Sequence, residues 1–135
     1  MKNIFATLLT AFGLCVSCHA DDSIVVLSPD EYECAVKKDT TAVILDVRTH
    51  SEFSDEHIYD AINLDVLDKD LFAAGVDKLD KTKTYYIYCR SGRRSHNAAL
   101  MMKDRGFKVF DMKGGILEWK AAGKPVCKPD LSQNK

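Results

Sequence analysis

Tyr85-Tyr86-Ile87-Tyr88-Cys89-Arg90-Ser91-Gly92-Arg93-Arg94-Ser95 is an apolar, aromatic run that ends at a cysteine and gives way to a small, basic segment. Thr84 to Tyr88 reads as a buried strand, and roughly His96 to Arg105 reads as a helix with Ala98, Ala99 and Met102 on its inner face. Cys89 therefore falls at a strand's end, on a tight loop feeding a helix N-terminus. Gly92 allows that loop a positive φ, which curls backbone N–H groups inward. Those N–H groups and the helix dipole favour negative charge, and Arg90, Arg93 and Arg94 add positive charge beside them. Surroundings of this kind favour the ionised thiol, which is the reactive form. A cysteine that merely ends a strand beside surface arginines is the plainer alternative. The order of strand, cysteine, loop glycine, arginines and helix start favours a reactive thiol.

Outward from this stretch, strands and helices alternate. Ile24 to Leu27 is a short apolar run, expected as the first strand. Ser28-Pro29-Asp30-Glu31 has the signature of a helix start, with serine as cap, proline at the first position and glutamate at the third. Tyr32, Ala35 and Val36 form that helix's apolar face, and it should end near Lys38-Asp39. Thr41 to Leu45 is continuously apolar and β-branched, a pattern of burial on both faces as in a parallel sheet. Asp46-Val47-Arg48-Thr49 follows at its end. Glu52-Phe53 and His57-Ile58 fit a short helix and the loop after it, and Ala61 to Leu64 another short strand. Leu71 to Ala74 reads as a helix stopped near Gly75. Phe107 to Phe110 is a strand after a C-capping Gly106. Gly114-Gly115-Ile116-Leu117-Glu118-Trp119 opens a last helix closed by Gly123, and Pro125-Val126 reads as a terminal edge strand. The expected fold is a single α/β domain, a parallel sheet flanked by helices on both faces. Ligands of such sheets bind beyond the carboxyl ends of the strands, where both Asp46-Val47-Arg48 and Cys89 fall.

The 135 residues suit one domain, and a net charge of −1 argues against a nucleic-acid binder. Positive charge gathered in one loop suits a small anionic substrate. Residues 1–20 differ from the rest: Lys2, then an apolar Ile4 to Val16, then small residues, abruptly followed by Asp21-Asp22. This reads as a signal peptide, too short for a transmembrane span. Cleavage after Ala20 and lipidation of Cys18 within Cys15-Val16-Ser17-Cys18 are both compatible with it. Either exports the domain, to the periplasm or to a lipid-anchored position on a bacterial membrane. The domain then spans 21–127, with a polar tail at 128–135. Without the leader, Cys34, Cys89 and Cys127 remain, an odd number that leaves at least one thiol unpaired. Cys89 is the natural odd one out, and Cys34 and Cys127 are either disulfide-linked or free.

These residues resemble the rhodanese domain over almost the whole stretch from Ser23 to Val126. The pieces are Leu45-Asp46-Val47-Arg48, Glu52-Phe53, His57-Ile58, Ala61-Ile62-Asn63, Tyr88-Cys89-Arg90-Ser91-Gly92-Arg93-Arg94-Ser95, Gly106-Phe107, Gly114-Gly115-Ile116 with Trp119, and Gly123 with Pro125-Val126. Singly they are weak, but as an ordered set they are specific. The resemblance implies a sulfurtransferase in which Cys89 takes the outer sulfur of thiosulfate or a similar donor as a persulfide and passes it to cyanide or a thiol, a protein thiol included. It further implies that the N–H groups from Arg90 through Ser91, Gly92, Arg93 and Arg94 to Ser95 hold the sulfur, and that the arginines orient the dianionic donor. It implies no metal, no organic cofactor and a monomer. One departure stands out. Family members often carry glycine-His-Ile-proline-glycine-alanine where this chain has Glu56-His57-Ile58-Tyr59-Asp60-Ala61, which leaves the backbone of that turn, and its part in shaping the pocket, open.

Asp46 suits either a site-organising carboxylate or a turn-capping residue, and Arg48 suits a structural ion pair better than substrate contact. His57 and His96 read as structural, because an ionised thiolate needs no base. Trp119 reads as core. A cysteine phosphatase would place arginine at the sixth residue after the cysteine, where this chain has Ser95, and Arg94 comes one place too early. Arsenate-reductase-like chemistry is disfavoured with it. A binding module of the same fold would usually lack Cys89. A sulfur carrier or thiol-redox protein shares the first half-reaction and is not separated by sequence.

Overall fold

The computed structural model describes residues 23–129. The expected leader, with Cys15 and Cys18, and the tail beyond residue 129 lie outside the described residues. The elements are β1 (Val26–Leu27), α1 (Pro29–Lys38), β2 (Ala42–Asp46), α2 (His50–Asp55), β3 (Ile62–Asn63), α3 (Lys69–Asp77), β4 (Thr84–Tyr88), α4 (Arg93–Asp104), β5 (Lys108–Met112) and α5 (Gly115–Ala121). All strands run parallel in the order β1-β5-β4-β2-β3. No helix among the described residues is long and apolar enough to cross a membrane.

The central strand β4 is buried along its whole length, because alternate residues enter two separate cores. Tyr85, Ile87 and Cys89 join Phe72 and Val76 of α3 and Ala98, Ala99 and Met102 of α4 on one face. Tyr86 and Tyr88 join Tyr32 of α1 and Ile116 and Trp119 of α5 on the other. Their phenols take specific partners: Tyr85 donates to the Asp80 carbonyl, Tyr86 to Asp39 and Tyr88 to Asp46. The register pairs Asp46 with Tyr88, so the ends of β2 and β4, with the residues after them, lie side by side.

Local signals are obeyed where they are self-contained. Ser28 and Glu31 form the reciprocal cap read from sequence, at 3.2 and 2.9 Å. Thr49 and Glu52 form a second one at the start of α2.

Three expectations need correction. First, α4 begins at Arg93 rather than His96, because Gly92, at φ +102°, ends the loop directly. The loop is thus Cys89 to Gly92, and Arg93, Arg94 and Ser95 are the helix's first turn. Second, α3 runs through Gly75 to Asp77. A Cβ at Gly75 would lie 2.6 Å from Leu64 Cδ2, so this glycine makes room for a neighbour and does not stop the helix. Third, Pro125-Val126 form no strand. Cys127 and His57 instead exchange two backbone hydrogen bonds, at 2.7 and 3.0 Å, in an isolated antiparallel bridge, and Trp119 Nε1 donates to the Pro125 carbonyl at 2.8 Å. Of the two states left open for Cys34 and Cys127, the structure has the free thiols, the first exposed and the second half-buried.

Candidate active site

Cys89 leaves β4 almost fully buried, at 1% exposure. Its Sγ accepts the Gly92 N–H at 3.0 Å. The loop can turn that N–H inward because its carbonyls are occupied elsewhere. Ile116 N donates to the Cys89 carbonyl at 2.9 Å and Leu117 N to the Arg90 carbonyl at 3.2 Å. The first turn of α5 therefore holds the outer side of the loop and satisfies two of its own unpaired N–H groups in doing so. The approach is close: a Cβ on Gly115 would stand 2.4 Å from the Arg90 carbonyl oxygen and 2.5 Å from that of Cys89, and Gly115 has φ +62°. Only glycine fits. Read from sequence as a helix opening, Gly114-Gly115 is also the buttress of the cysteine loop.

The arginines divide. Arg90 and Arg93 are exposed. Arg94, on the first turn of α4, lies against α2 and donates from Nη1 and Nη2 to the two Glu52 carboxylate oxygens at 2.7 and 3.0 Å. This fork-to-fork pair holds the Glu52 carboxyl down at about 2, and the Glu52 charge raises the Arg94 guanidinium in turn. From sequence, Glu52 reads as part of a short helix and as one piece of the family resemblance, with no partner assigned. The one local sign of a special role was its place three residues after Thr49.

Asp46 and Arg48 form a buried ion pair. Asp46 is fully buried and accepts from Arg48 N at 2.9 Å, from Arg48 Nε and Nη2 at 3.0 and 2.8 Å, and from the Tyr88 hydroxyl at 2.6 Å. Arg48 Nη2 also reaches the Glu56 carbonyl at 2.6 Å, and Asn63 Nδ2 donates to the carbonyls of Asp46 and Arg48. Burial beside the Asp46 carboxylate pushes the Tyr88 phenol far above its ordinary range. The network fixes the end of β2 against β4 and, through Glu56, the end of α2.

The turn that departs from the family pattern joins the same network. Ile58 N donates to Tyr88 Oη at 3.0 Å, and Ala61 N to the Ile58 carbonyl at 3.0 Å. Asp60 alone among the described non-glycine residues has a positive φ, +66°. A left-handed third position with that closing bond is a type II turn, which favours proline at its second position and glycine at its third. Tyr59 and Asp60 occupy those positions, so the backbone keeps the turn without its preferred residues. His57 stacks on Phe53 with ring centroids 3.9 Å apart and makes a 2.9 Å bond to the Phe53 carbonyl. His96 is exposed on α4.

Beside the loop opens a cavity of about 490 Å³, lined by Arg48, Glu52, Glu56, Arg90, Leu117 and Lys120 among others. Lys120 pairs with Glu56 on its wall. Arg90, next in the chain to the buried Cys89, lines this cavity together with the carboxylates of Glu52, Asp55 and Glu56.

The family model for the rhodanese-like domain matches residues 28–122. A sulfurtransferase of Allochromatium vinosum is 34% identical over 94 residues, covering 68% of this chain and 85% of that protein. The thiosulfate sulfurtransferase GlpE of Coxiella burnetii is 33% identical over 93 residues, covering 68% and 82%. Among solved structures, a rhodanese-related protein of Thermoplasma volcanium superposes with a TM-score of 0.69 at 25% identity, covering 78% of this chain and 99% of that one.

Proposed function

The chain belongs to the rhodanese-like family, and from that premise we propose that it moves a sulfane sulfur from thiosulfate, or a similar anionic donor, to a thiol or cyanide through a persulfide on Cys89. One observation carries the reading. Cys89 sits buried at the end of β4, in a loop of four residues, with Sγ engaged by the Gly92 N–H at 3.0 Å. The Cys89 thiolate attacks the outer sulfur of thiosulfate. A new S–S bond forms, the donor's S–S bond breaks, and its electron pair leaves with sulfite. The acceptor nucleophile then attacks the terminal persulfide sulfur, and the Cys89 thiolate departs with the pair of the second S–S bond. Two displacements restore the enzyme with no net redox change.

In this reading the inward backbone N–H supports the anionic persulfide, and the first turn of α4 supplies a favourable dipole. Arg90 and Arg93 attract the donor, whereas Arg94 is committed to Glu52 and acts by holding α4 to α2. Asp46 and Arg48 position the neighbouring strand end. A cradle that closes at Gly92, three residues after the cysteine, supports sulfur chemistry over a phosphate-binding loop. The leader-like residues 1–20 support export, with a monomeric domain acting in the periplasm or from a lipid anchor on Cys18. Fractionation of cells expressing the full chain, with and without Cys18→Ser, tests that placement.

The deciding experiment is intact-protein mass spectrometry after incubation with thiosulfate. Gain of one sulfur atom on the wild type, its loss on adding cyanide, and no gain on a folded Cys89→Ser variant are expected. A Cys89→Ser protein that still turned over thiosulfate would refute the reading.

A further inference from the structure

Asp111 is a carboxylate in the wrong place for a solvated one. It lies in β5, paired in register with Ile87 of β4 and Val26 of β1, and is 3% exposed. Side chains two residues apart in a strand share a face, so Asp111 faces the same way as Val109, into the core beneath α4. There it meets Ser95, the third residue of α4, itself fully buried. Ser95 Oγ and Asp111 Oδ1 are the buried side-chain polar atoms among the described residues that have no hydrogen-bond partner. They stand opposite each other, one turn from the Cys89 loop. Neither atom has a well-aligned partner, yet the Ser95 hydroxyl and the Met112 N–H lie near enough to favour the ionised Asp111, so a buried and poorly satisfied pair sits under the Cys89 loop.

We propose that Asp111 is a positioning residue for Cys89: its carboxyl sets the direction of the Ser95 hydroxyl under the first turn of α4, and its ionisation lowers the reactivity of the thiol. The geometry allows two arrangements. A protonated carboxyl donates to Ser95 Oγ, which turns the serine O–H away from β5 and toward the N-terminal end of α4, where the Cys89 loop joins it. An ionised carboxyl instead accepts the serine O–H and adds a buried negative charge under a loop that must hold an anion. Burial pushes the Asp111 carboxyl up to about 6, so both arrangements fall within the working range of pH. The titratable group that faces it from α4 is His96, whose positive form opposes the upward shift. From α1 the buried Tyr32 phenol feels the same charge, but it is itself held far above neutral pH. The strand neighbours Val26 and Ile87 bring no charge.

The inference rests on Cys89 as the reactive thiol of the proposed function, and the test separates the two. The full chain and its Asp111→Asn variant are treated with iodoacetamide from pH 5 to 8, and modification of Cys89 is followed by peptide mass, apart from Cys34 and Cys127. Asparagine imitates the protonated carboxyl. The variant-to-wild-type rate ratio is expected to be near one at pH 5 and to rise to about fivefold at pH 8, the worth of roughly one hydrogen bond. The midpoint should lie near pH 6. In a Ser95→Ala background the rise should shrink to the part due to the buried charge alone, and in a His96→Gln background it should persist. A ratio independent of pH, a rise undiminished by Ser95→Ala, or a rise abolished by His96→Gln would each overturn the inference. A parallel incubation with thiosulfate reads persulfide formation. Its absence would refute the sulfur-transfer reading and leave the alkylation result standing.

Discussion

Replacing Gly115 with alanine should damage the active-site loop from outside it. Two glycines near the C-terminal end of the fold share a left-handed backbone, Gly115 at φ +62° and Gly123 at +75°. A Cβ at Gly123 meets nothing within 4 Å, whereas one at Gly115 meets the Arg90 and Cys89 carbonyls at 2.4–2.5 Å. Gly123→Ala therefore bears the conformational cost alone, about 1 kcal/mol. Gly115→Ala bears that cost and must also separate two backbones, which costs about 1–3 kcal/mol. It also weakens the Ile116-to-Cys89 and Leu117-to-Arg90 hydrogen bonds, each worth about 1 kcal/mol. The expected loss is about 3–5 kcal/mol against 1. For a domain of this size that is a fall in Tm of about 15 °C or more against about 5 °C. The loop should also move outward, and a shift of about 1 Å at a reacting group costs on the order of 10²-fold in rate. Thermal melts paired with the rate of Cys89 persulfide formation measure both. If Gly115→Ala melts no lower than Gly123→Ala, or forms persulfide at the wild-type rate, the contact with α5 is not what shapes the loop.

Glu52→Gln should lower stability by about 1 kcal/mol at pH 7, the worth of a well-formed but partly exposed ion pair. Because the Glu52 carboxyl lies at about 2, below its reference value of 4.5, that contribution is complete above pH 4.5 and fades as pH falls toward 2. Denaturant midpoints for the two proteins should therefore converge at low pH, and a constant gap would contradict the pairing. Asp111 has the opposite sign: a carboxyl raised from 3.8 to about 6 weakens the fold as pH rises through that window and is neutral in effect below it. Asp111→Asn should match the wild type at pH 3.5 and exceed it by about 3 kcal/mol at pH 8, and equal stability at pH 8 would count against a desolvated carboxylate. Asp60→Gly removes a left-handed aspartate at the cost of a more flexible unfolded chain, for a net gain of about 0.5 kcal/mol. A lowered Tm would show that the Asp60 side chain contributes more to the turn than its backbone strain costs.

Much of the molecule was legible because its signals are local. Ser28 and Glu31 advertise their cap within four residues, and the unbroken apolar runs before Asp46 and Cys89 mark strands buried on both faces. Cysteine, glycine and arginines at one strand end mark the site. The misreadings share a cause, since each depends on a partner distant in sequence. Gly75 looks like a helix stop until Leu64 is seen against it. Gly92 ends the Cys89 loop early because Arg94, two residues later, is held by Glu52 from forty-two residues back. That pair exists because the sheet register sets Asp46 beside Tyr88 and so brings α2 alongside the first turn of α4. Asp111 is the extreme case. In Lys108-Val109-Phe110-Asp111-Met112 a lone carboxylate looks like the solvent side of an edge strand. It is buried because β1 covers the edge and α4 the face. A residue whose environment is built entirely from non-local neighbours has no sequence signature, and a carboxylate kept under those conditions is the position at which the fold has the most chemistry left to explain.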